Sequence, residues 1–371
     1  MNSPEILNPK SKIRNLESIP EWGIKQLNDS KNYLSYQHTE QSRQFLNEPA
    51  MILALFYGNQ AGKTAIVAYN YVDRIFGKHP IAKKNVLYFE CDNRSIQTEV
   101  PGIYEGHTFA PYKVNNGNML RCPTCDAKLQ PHIRNARIFR FSSENLPTQA
   151  EDTNEEGGSS AEVRNTQYPE FKKWLPSYLI KKDIVARNAS MIVKCPFGGN
   201  DIIVEFTSYG QTKGSQKGVQ RMSVWMDEEP SLGYFEEQLP RIIMEEGDLI
   251  ITFTPTEAIT YLYDMIFERA KIYYRTKTIC EEYYKKVEKR NVAQIERTQS
   301  NQDIAVFQAA TSDNPVYRNR DVKGIFGVYD DIDMFHMRFF GIFKAISGRI
   351  FKCFDPSVHV IDEDKYFKKV A

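Results

Sequence analysis

The stretch "FYGNQAGKT" (residues 56–64) follows the apolar run "MILAL" (51–55) and precedes "AIVAYNYVDRIFG" (65–77). A short run that is apolar throughout reads as a buried strand. The segment after the loop has helical spacing and stops at Gly77. A Gly-containing turn between a strand and a helix, closed by Lys-Thr, reads as a phosphate-binding loop. Backbone N–H groups at a helix N-terminus hold phosphate oxygens, and glycine lets the chain come close. The common spacing is G-x-x-x-x-G-K-[ST]. Here Tyr57 stands where the first glycine is usual, and Gly58 comes one place late. Gly58, Asn59, Gln60, Ala61, Gly62, Lys63 and Thr64 are the candidate nucleotide-binding residues. Lys63 would reach the β- and γ-phosphates of ATP, and the Thr64 hydroxyl would ligate Mg2+.

Working outward, Tyr33 to Leu46 reads as a helix, and "NVLYFEC" (85–91) as a second strand. Strand, loop, helix and strand in that order predict an α/β fold with a mainly parallel sheet and helices on both faces. "ARIFRF" (136–141), "RMSVWMDEE" (221–229), "GDLIITFTPT" (247–256) and "IAVFQAAT" (304–311) supply further strands. "SMIVKC" and "DIIVEFTSY", joined by "PFGGN", read as a β-hairpin. Residues 260 to 302 are charged and helical in spacing. Residues 1–35 form a polar N-terminal segment, and 150–165 are acidic and poor in apolar residues. The expected domains are an ATPase core over 36–256, a lid-like segment over 257–335, and a further domain beginning at 336.

"SVWMDEEP" (223–230) ends a hydrophobic strand in carboxylates. A strand end beside the phosphate loop puts Asp227 near Mg2+, and Glu228 can polarise an attacking water as general base. That adjacent glutamate argues for an ATP hydrolase over a small-molecule phosphotransferase, which needs no water-activating base. In "ITFTPT" (251–256), Thr252 and Thr254 can sense the γ-phosphate through their hydroxyls, while Pro255 ends the strand. Plain β-propensity explains a threonine-rich strand equally well when it is taken alone.

Charge is balanced, with 48 Lys and Arg against 47 Asp and Glu. This excludes a protein held on nucleic acid by bulk positive charge. No apolar stretch reaches membrane-span length, so no membrane partner is expected. The N-terminus lacks the apolar middle of a secretory signal, and the six cysteines in so long a chain suggest a reducing compartment rather than a disulfide framework.

Residues 102 to 136 interrupt the α/β pattern as an insertion rich in Gly, Pro, Asn and Cys. "RCPTCDAKLQPH" (121–132) places Cys122 and Cys125 in a knuckle suited to structural Zn2+. His132, His107, Cys91 and Cys195 are the open choices for the remaining ligands. "KIYYRTK" (271–277) and "YYKKVEKR" (283–290) interleave aromatic and basic residues. Such stretches can track a nucleic-acid backbone, although a helix with a solvated charged face is the favoured reading.

Taken together, these segments resemble the large subunit of bacteriophage terminases, the ATP-driven DNA-packaging motor. The shortened loop is similar to that family's G-N-[QR]-x-G-K-T version. "KGVQRMSVWMDEEP" (217–230) is similar to its carboxylate strand, and "ITFTPT" to its coupling segment. "TSDNPVY" (311–317) matches its DNP turn. "HTEQ" (38–41) resembles an upstream H-x-x-Q that contacts adenine, and "FFGIFKAISGRIFKCFDPSVHVI" (339–361) the junction into its nuclease domain. The resemblance spans about residues 36 to 361. It implies a RecA-like P-loop NTPase of the kind whose added strand carries the catalytic glutamate. Gln41 would read adenine, Lys63 and Glu228 would be catalytic, and Thr64 and Asp227 would hold Mg2+. Thr252 and Thr254 would couple hydrolysis to movement of double-stranded DNA. The implied partners are a portal on an empty procapsid, a small terminase subunit and further copies in a ring, in the host cytoplasm.

Two departures stand out. Some members carry an arginine inside the loop; this chain has Gln60, so another arginine must offset transition-state charge. It would come from a ring neighbour or from this chain, where Arg94, Arg137 and Arg140 are candidates. The family's nuclease carboxylates would begin after the segment matching "HVIDEDKYFKKVA" (359–371), so no DNA cleavage is expected of these residues. The rivals are a helicase or DNA-remodelling ATPase, which strand separation of a duplex would favour, and a zinc-bearing nucleic-acid module with an inactive nucleotide site.

Overall fold

The computed structural model describes residues 31–93, 96–97, 104–116, 121–143, 166–183, 190–209, 218–256, 260–298, 303–317, 320–329 and 331–344. The acidic segment 150–165, Arg94, and the stretch from 345 onward, which includes most of the junction motif, lie outside these residues. So do residues 1–30. The chain forms two compact units. One takes the residues up to Leu55 together with Gly62–Thr252; the other takes Phe56–Ala61 together with the residues from Phe253 onward.

The first unit is built on a mainly parallel sheet. Its strands run in the order Ile52–Tyr57, Asp248–Phe253, Ser223–Asp227, Ile138–Ser143, Ile202–Ser208, Ser190–Val193 and Ile180–Lys182. The pairings of Ser223–Asp227 with both its neighbours, and of Ile138–Ser143 with Ile202–Ser208, are parallel. The hairpin expected from "PFGGN" turns the sheet antiparallel at its edge. Val224, Trp225, Met226, Leu249, Ile250 and Ile251 are fully buried. They form the continuous apolar runs that a strand covered on both faces requires.

Register decides which side chains meet. Phe139 and Phe141 share one face of their strand, and Ser142 points to the other. On the phenylalanine face, Tyr71 of helix Lys63–Ile75 packs on Phe139, Phe141 and Trp225, and Phe171 of helix Gln167–Trp174 packs on Phe141. On the other face, the Tyr234 hydroxyl of helix Leu232–Ile243 meets Ser142 Oγ at 2.6 Å. Helices therefore cover both faces. Val67, Tyr71, Val72 and Ile75 are fully buried on one stripe, each contributing about 1.5–3 kcal/mol.

Three expectations need correction. The single helix over Tyr33–Leu46 is two, Lys31–Ser35 and Glu40–Asn47. The second starts at a Thr39 N-cap that accepts from Ser42 N–H, a side-chain bond that stops the helix extending backward. Strand Leu87–Cys91 is absent from the main sheet. It sits between Thr108–Phe109 and Leu129–Ile133 as the centre of a separate antiparallel sheet, because the insertion offers it closer partners. The stretch 260–302 is not helical throughout. It contains strands Ile272–Arg275 and Ile295–Arg297.

In the second unit Ile272–Arg275 runs parallel to Ile304–Ala309 and antiparallel to Ile295–Arg297. Tyr274 stacks on Phe307 at 4.8 Å. Ile279, Tyr283, Tyr284, Phe339 and Phe340 form one core cluster. No helix among the described residues is long and apolar enough to cross a membrane.

Candidate active site

The register that puts Tyr71 on the phenylalanine face also places Asp227 there. Asp227 pairs with Ser143 on one side and Thr252 on the other, two residues beyond Trp225, at the C-terminal edge of the sheet. Helix Lys63–Ile75 lies on this same face. Lys63 Nζ stands 3.6 Å from Glu228 Oε1. Lysine, aspartate and glutamate, far apart in sequence, thus converge within one unit.

Each member is held. The Thr252 hydroxyl donates to Asp227 Oδ1 at 2.5 Å, and Trp225 Nε1–H donates to Thr252 Oγ1 at 2.8 Å. The Tyr209 hydroxyl donates to the Asp227 carbonyl at 2.7 Å. Asp227 is 5 % exposed. Burial, joined by the charge of Glu228 beside it, pushes its carboxyl up to about 6, although Lys63 and Thr252 pull the other way. Glu228 is half-buried and has a left-handed backbone at φ 60°, with its N–H bonded to the Thr252 carbonyl at 2.8 Å. That turn takes its side chain out of the strand's alternation and toward Lys63. Lys63 is 8 % exposed. Thr64 follows in the first helical turn and is half-buried.

The two halves of the loop belong to different units, Phe56–Ala61 to the second and Gly62 onward to the first. Gly62 is left-handed at φ 91°. In the second unit, Gly58 N–H bonds to Ala309 O at 2.8 Å and Asn59 N–H to Arg338 O at 2.7 Å. A β-carbon on Gly58 would lie 2.0 Å from the Phe339 carbonyl oxygen, so only glycine fits. Gln60 is a non-glycine residue at φ 57°. The DNP turn holds it there: Asn314 Nδ2 donates to Gln60 O at 2.7 Å, and the Tyr317 hydroxyl donates to Gln60 Oε1. Thr311 Oγ1 donates to Asn59 O at 2.7 Å. Ala61 is buried. Asn314, Tyr317, Trp225 and Tyr209 escape a reading of the sequence, because they act by bracing other residues. The one available signal was the DNP turn itself.

Gln41 is half-buried on helix Glu40–Asn47. Just upstream, Tyr33, Tyr36 and His38 pack around Tyr69 of the lysine helix. Thr254 is buried in the second unit, whereas Thr252 belongs to the first and bonds to a site carboxylate. The two candidate coupling residues thus part at the unit boundary. The described arginine candidates are engaged elsewhere. Arg140 is buried and its Nε donates to Glu205 Oε2 at 2.7 Å. It pairs with Val224, three residues or about 10 Å along the strand from Asp227. Arg137 donates to the Arg134 and Asn200 carbonyls.

In the insertion, Cys122 and Cys125 meet Cys91 and His107, and all four ligand atoms lie within 4.8 Å of one another. His132 instead stacks on Tyr88 and faces Glu90 at 3.8 Å, and Cys195 stands outside the group. The aromatic-basic stretches are committed to the second unit's core: Tyr274, Tyr283 and Tyr284 are buried, and Arg275 is paired with Glu296.

No family model and no curated protein matches the chain. Among solved structures it is similar to the large terminase ATPase domain of Thermus phage P74-26, at TM-score 0.45 and 11% identity, over 86% of this chain and 97% of that one. It is also similar to the full large terminase of another thermophilic bacteriophage, at TM-score 0.46 and 12% identity, over 88% of this chain and 58% of that one. A complex of that second terminase with ADP aligns at TM-score 0.41 and 13% identity, over 91% of this chain and 57% of that one.

Proposed function

We propose that this chain is an ATP-hydrolysing motor subunit, the ATPase part of a terminase large subunit, which moves double-stranded DNA into a viral procapsid. The observation that carries the reading is the convergence of Lys63 on the Asp227–Glu228 pair at 3.6 Å. Lys63 binds and orients the terminal phosphates. Thr64 and Asp227 hold Mg2+, which when bound neutralises phosphate charge. Glu228 takes a proton from water positioned for attack. Thr252 links the chemistry to the next strand, since it already bonds Asp227; Thr254 lies beyond it. Gln41 contacts adenine. A structural Zn2+ at Cys122 and Cys125 belongs to the same reading. So do a portal, a small subunit and a homo-oligomeric ring that supplies the arginine missing from the loop.

The donor set supports this assignment: a buried carboxylate held near neutrality, a hydroxyl, and a lysine at a helix start are the groups that a magnesium–triphosphate complex requires. Phosphate release by wild type and by Glu228→Gln tests it, alongside binding of a fluorescent ATP analogue. Turnover should fall about 100-fold or more, with analogue affinity changed less than about threefold. Turnover that survives the substitution removes Glu228 as the base.

A further inference from the structure

We propose that Cys91, His107, Cys122 and Cys125 bind a single structural Zn2+ that serves as the missing core of the inserted module. The site is independent of the ATPase chemistry. All three strands of the inserted sheet deliver a ligand to one end. Cys91 closes strand Leu87–Cys91, His107 immediately precedes Thr108–Phe109, and the knuckle leads into Leu129–Ile133. The antiparallel register enforces the meeting, since Cys91 N–H bonds to His107 O at 3.1 Å.

Distances fit a tetrahedron. With Zn–S near 2.3 Å and Zn–N near 2.05 Å, neighbouring sulfurs stand about 3.8 Å apart and sulfur and nitrogen about 3.6 Å. Cys91 Sγ lies 3.6 Å from Cys125 Sγ and 3.6 Å from His107 Nδ1. A disulfide would need sulfurs about 2.05 Å apart, and it would leave one of the three thiols over. Three thiolates and an imidazole select zinc, and four protein ligands make a closed, structural site.

The surrounding chain is shaped for this ligand set. Asp126 adopts φ 56° directly after Cys125, and Asp126 N–H bonds back to Cys122 O at 2.8 Å. Cys122 N–H bonds to Ala127 O at 2.8 Å, closing the knuckle. The His107 N–H donates to Cys91 Sγ at 3.1 Å, which favours a thiolate there. Apart from two of the ligands themselves, the module's buried cluster has only Val114 and Leu129 among the described residues. Such a core is too small to offset the ordering of this many residues, so metal binding supplies folding free energy.

The module is anchored far from the nucleotide residues. Lys83 bridges Glu105 at 2.7 Å and Glu246 at 2.8 Å. Arg134 donates to the carbonyls of Lys83 and Glu245. Glu245 and Glu246 precede strand Asp248–Phe253, at the end opposite Thr252. Metal loss should therefore unfold the insertion and not remove Lys63, Asp227 or Glu228.

The test is metal content of the full chain purified without chelator, followed by Co2+ exchange. Wild type should carry about one zinc per chain, and the Co2+ form should show intense tetrahedral bands with strong thiolate charge transfer. Cys91→Ser and His107→Ala should fall below about 0.2 zinc per chain. Cys195→Ser and Cys280→Ser should stay near one, and His107→Cys, which offers a fourth thiolate, should keep the metal. Wild type with less than about a tenth of a zinc, weak octahedral Co2+ bands, or equal loss of zinc in Cys195→Ser would overturn the assignment.

Discussion

At φ 60° Glu228 occupies a backbone region that costs a residue with a β-carbon on the order of 1 kcal/mol. The bond from its N–H to Thr252 O fixes the turn, and the turn aims the carboxylate at Lys63. Its neighbour Asp227 is neutralised by burial, with a folded pKa of about 6 against an ordinary value of 3.8. The folded protein holds this proton more tightly than the unfolded chain, so its contribution to stability is present below about pH 4 and lost as pH rises through about 6. In nucleotide-free protein Asp227→Asn should therefore be more stable than wild type at pH 7.5, by on the order of 2 kcal/mol. Near pH 4 the difference should shrink toward zero. Urea unfolding at both pH values checks this. An equal difference at the two would mean that the carboxyl is not held neutral by its surroundings. A buried carboxylate of this kind gives up its proton readily to a divalent cation, which is what the proposed Mg2+ role asks of it.

Among the elements, the lysine helix is pinned at its far end as well. Arg74, one residue before the helix ends, makes a two-pronged bond to Asp248 at 2.7 and 2.6 Å. Lys84 adds a third contact at 3.1 Å, and Ser223 Oγ donates at 2.5 Å. Asp248 begins the threonine strand, so one buried cluster ties the helix carrying Lys63 to the strand carrying Thr252. Arg74 and Lys84 hold the Asp248 carboxyl well below the usual carboxylate range, against the pull of burial. Its contribution is thus present above the unfolded pKa and lost in strong acid. Asp248→Ala leaves two buried cations uncompensated and should cost about 3–5 kcal/mol in urea unfolding at neutral pH. A loss below about 1 kcal/mol would show that water reaches the cluster and screens it.

At the scale of the whole molecule, charge balance and burial together set how DNA is gripped. With 48 cationic residues against 47 acidic ones, there is no bulk field to hold a polyanion. Tyr283 and Tyr284 are buried in the second unit, so they cannot stack on bases, whereas Lys285, Lys286, Lys289 and Arg290 are exposed. Duplex binding should be weak, without sequence preference, and steeply weakened by salt. Replacing Lys285, Lys286 and Lys289 by Ala should flatten the slope of log affinity against log salt by up to about 0.9 per lysine that contacts phosphate. Fluorescence anisotropy at low and moderate salt measures it. Nanomolar affinity indifferent to salt would contradict the prediction.

What the amino-acid sequence determined by itself was local. Phosphate loop, buried strands, hairpin and carboxylate strand end were all legible in "FYGNQAGKT", "SVWMDEEP" and "ITFTPT". Their information lies in side-chain period and in residues with special backbone freedom, which neighbours along the chain suffice to express. Tertiary structure alone decided the rest. It assigned Leu87–Cys91 to its own sheet, turned part of the charged 260–302 stretch into strands, and committed Arg140 to Glu205. It also chose His107 and Cys91 over His132 and Cys195. Each of those outcomes depends on which distant segment competes for the same hydrogen bonds or the same buried charge. A strand's partner, an arginine's carboxylate and a fourth ligand are set by register across the fold, and register is a property of two segments that neither one encodes separately.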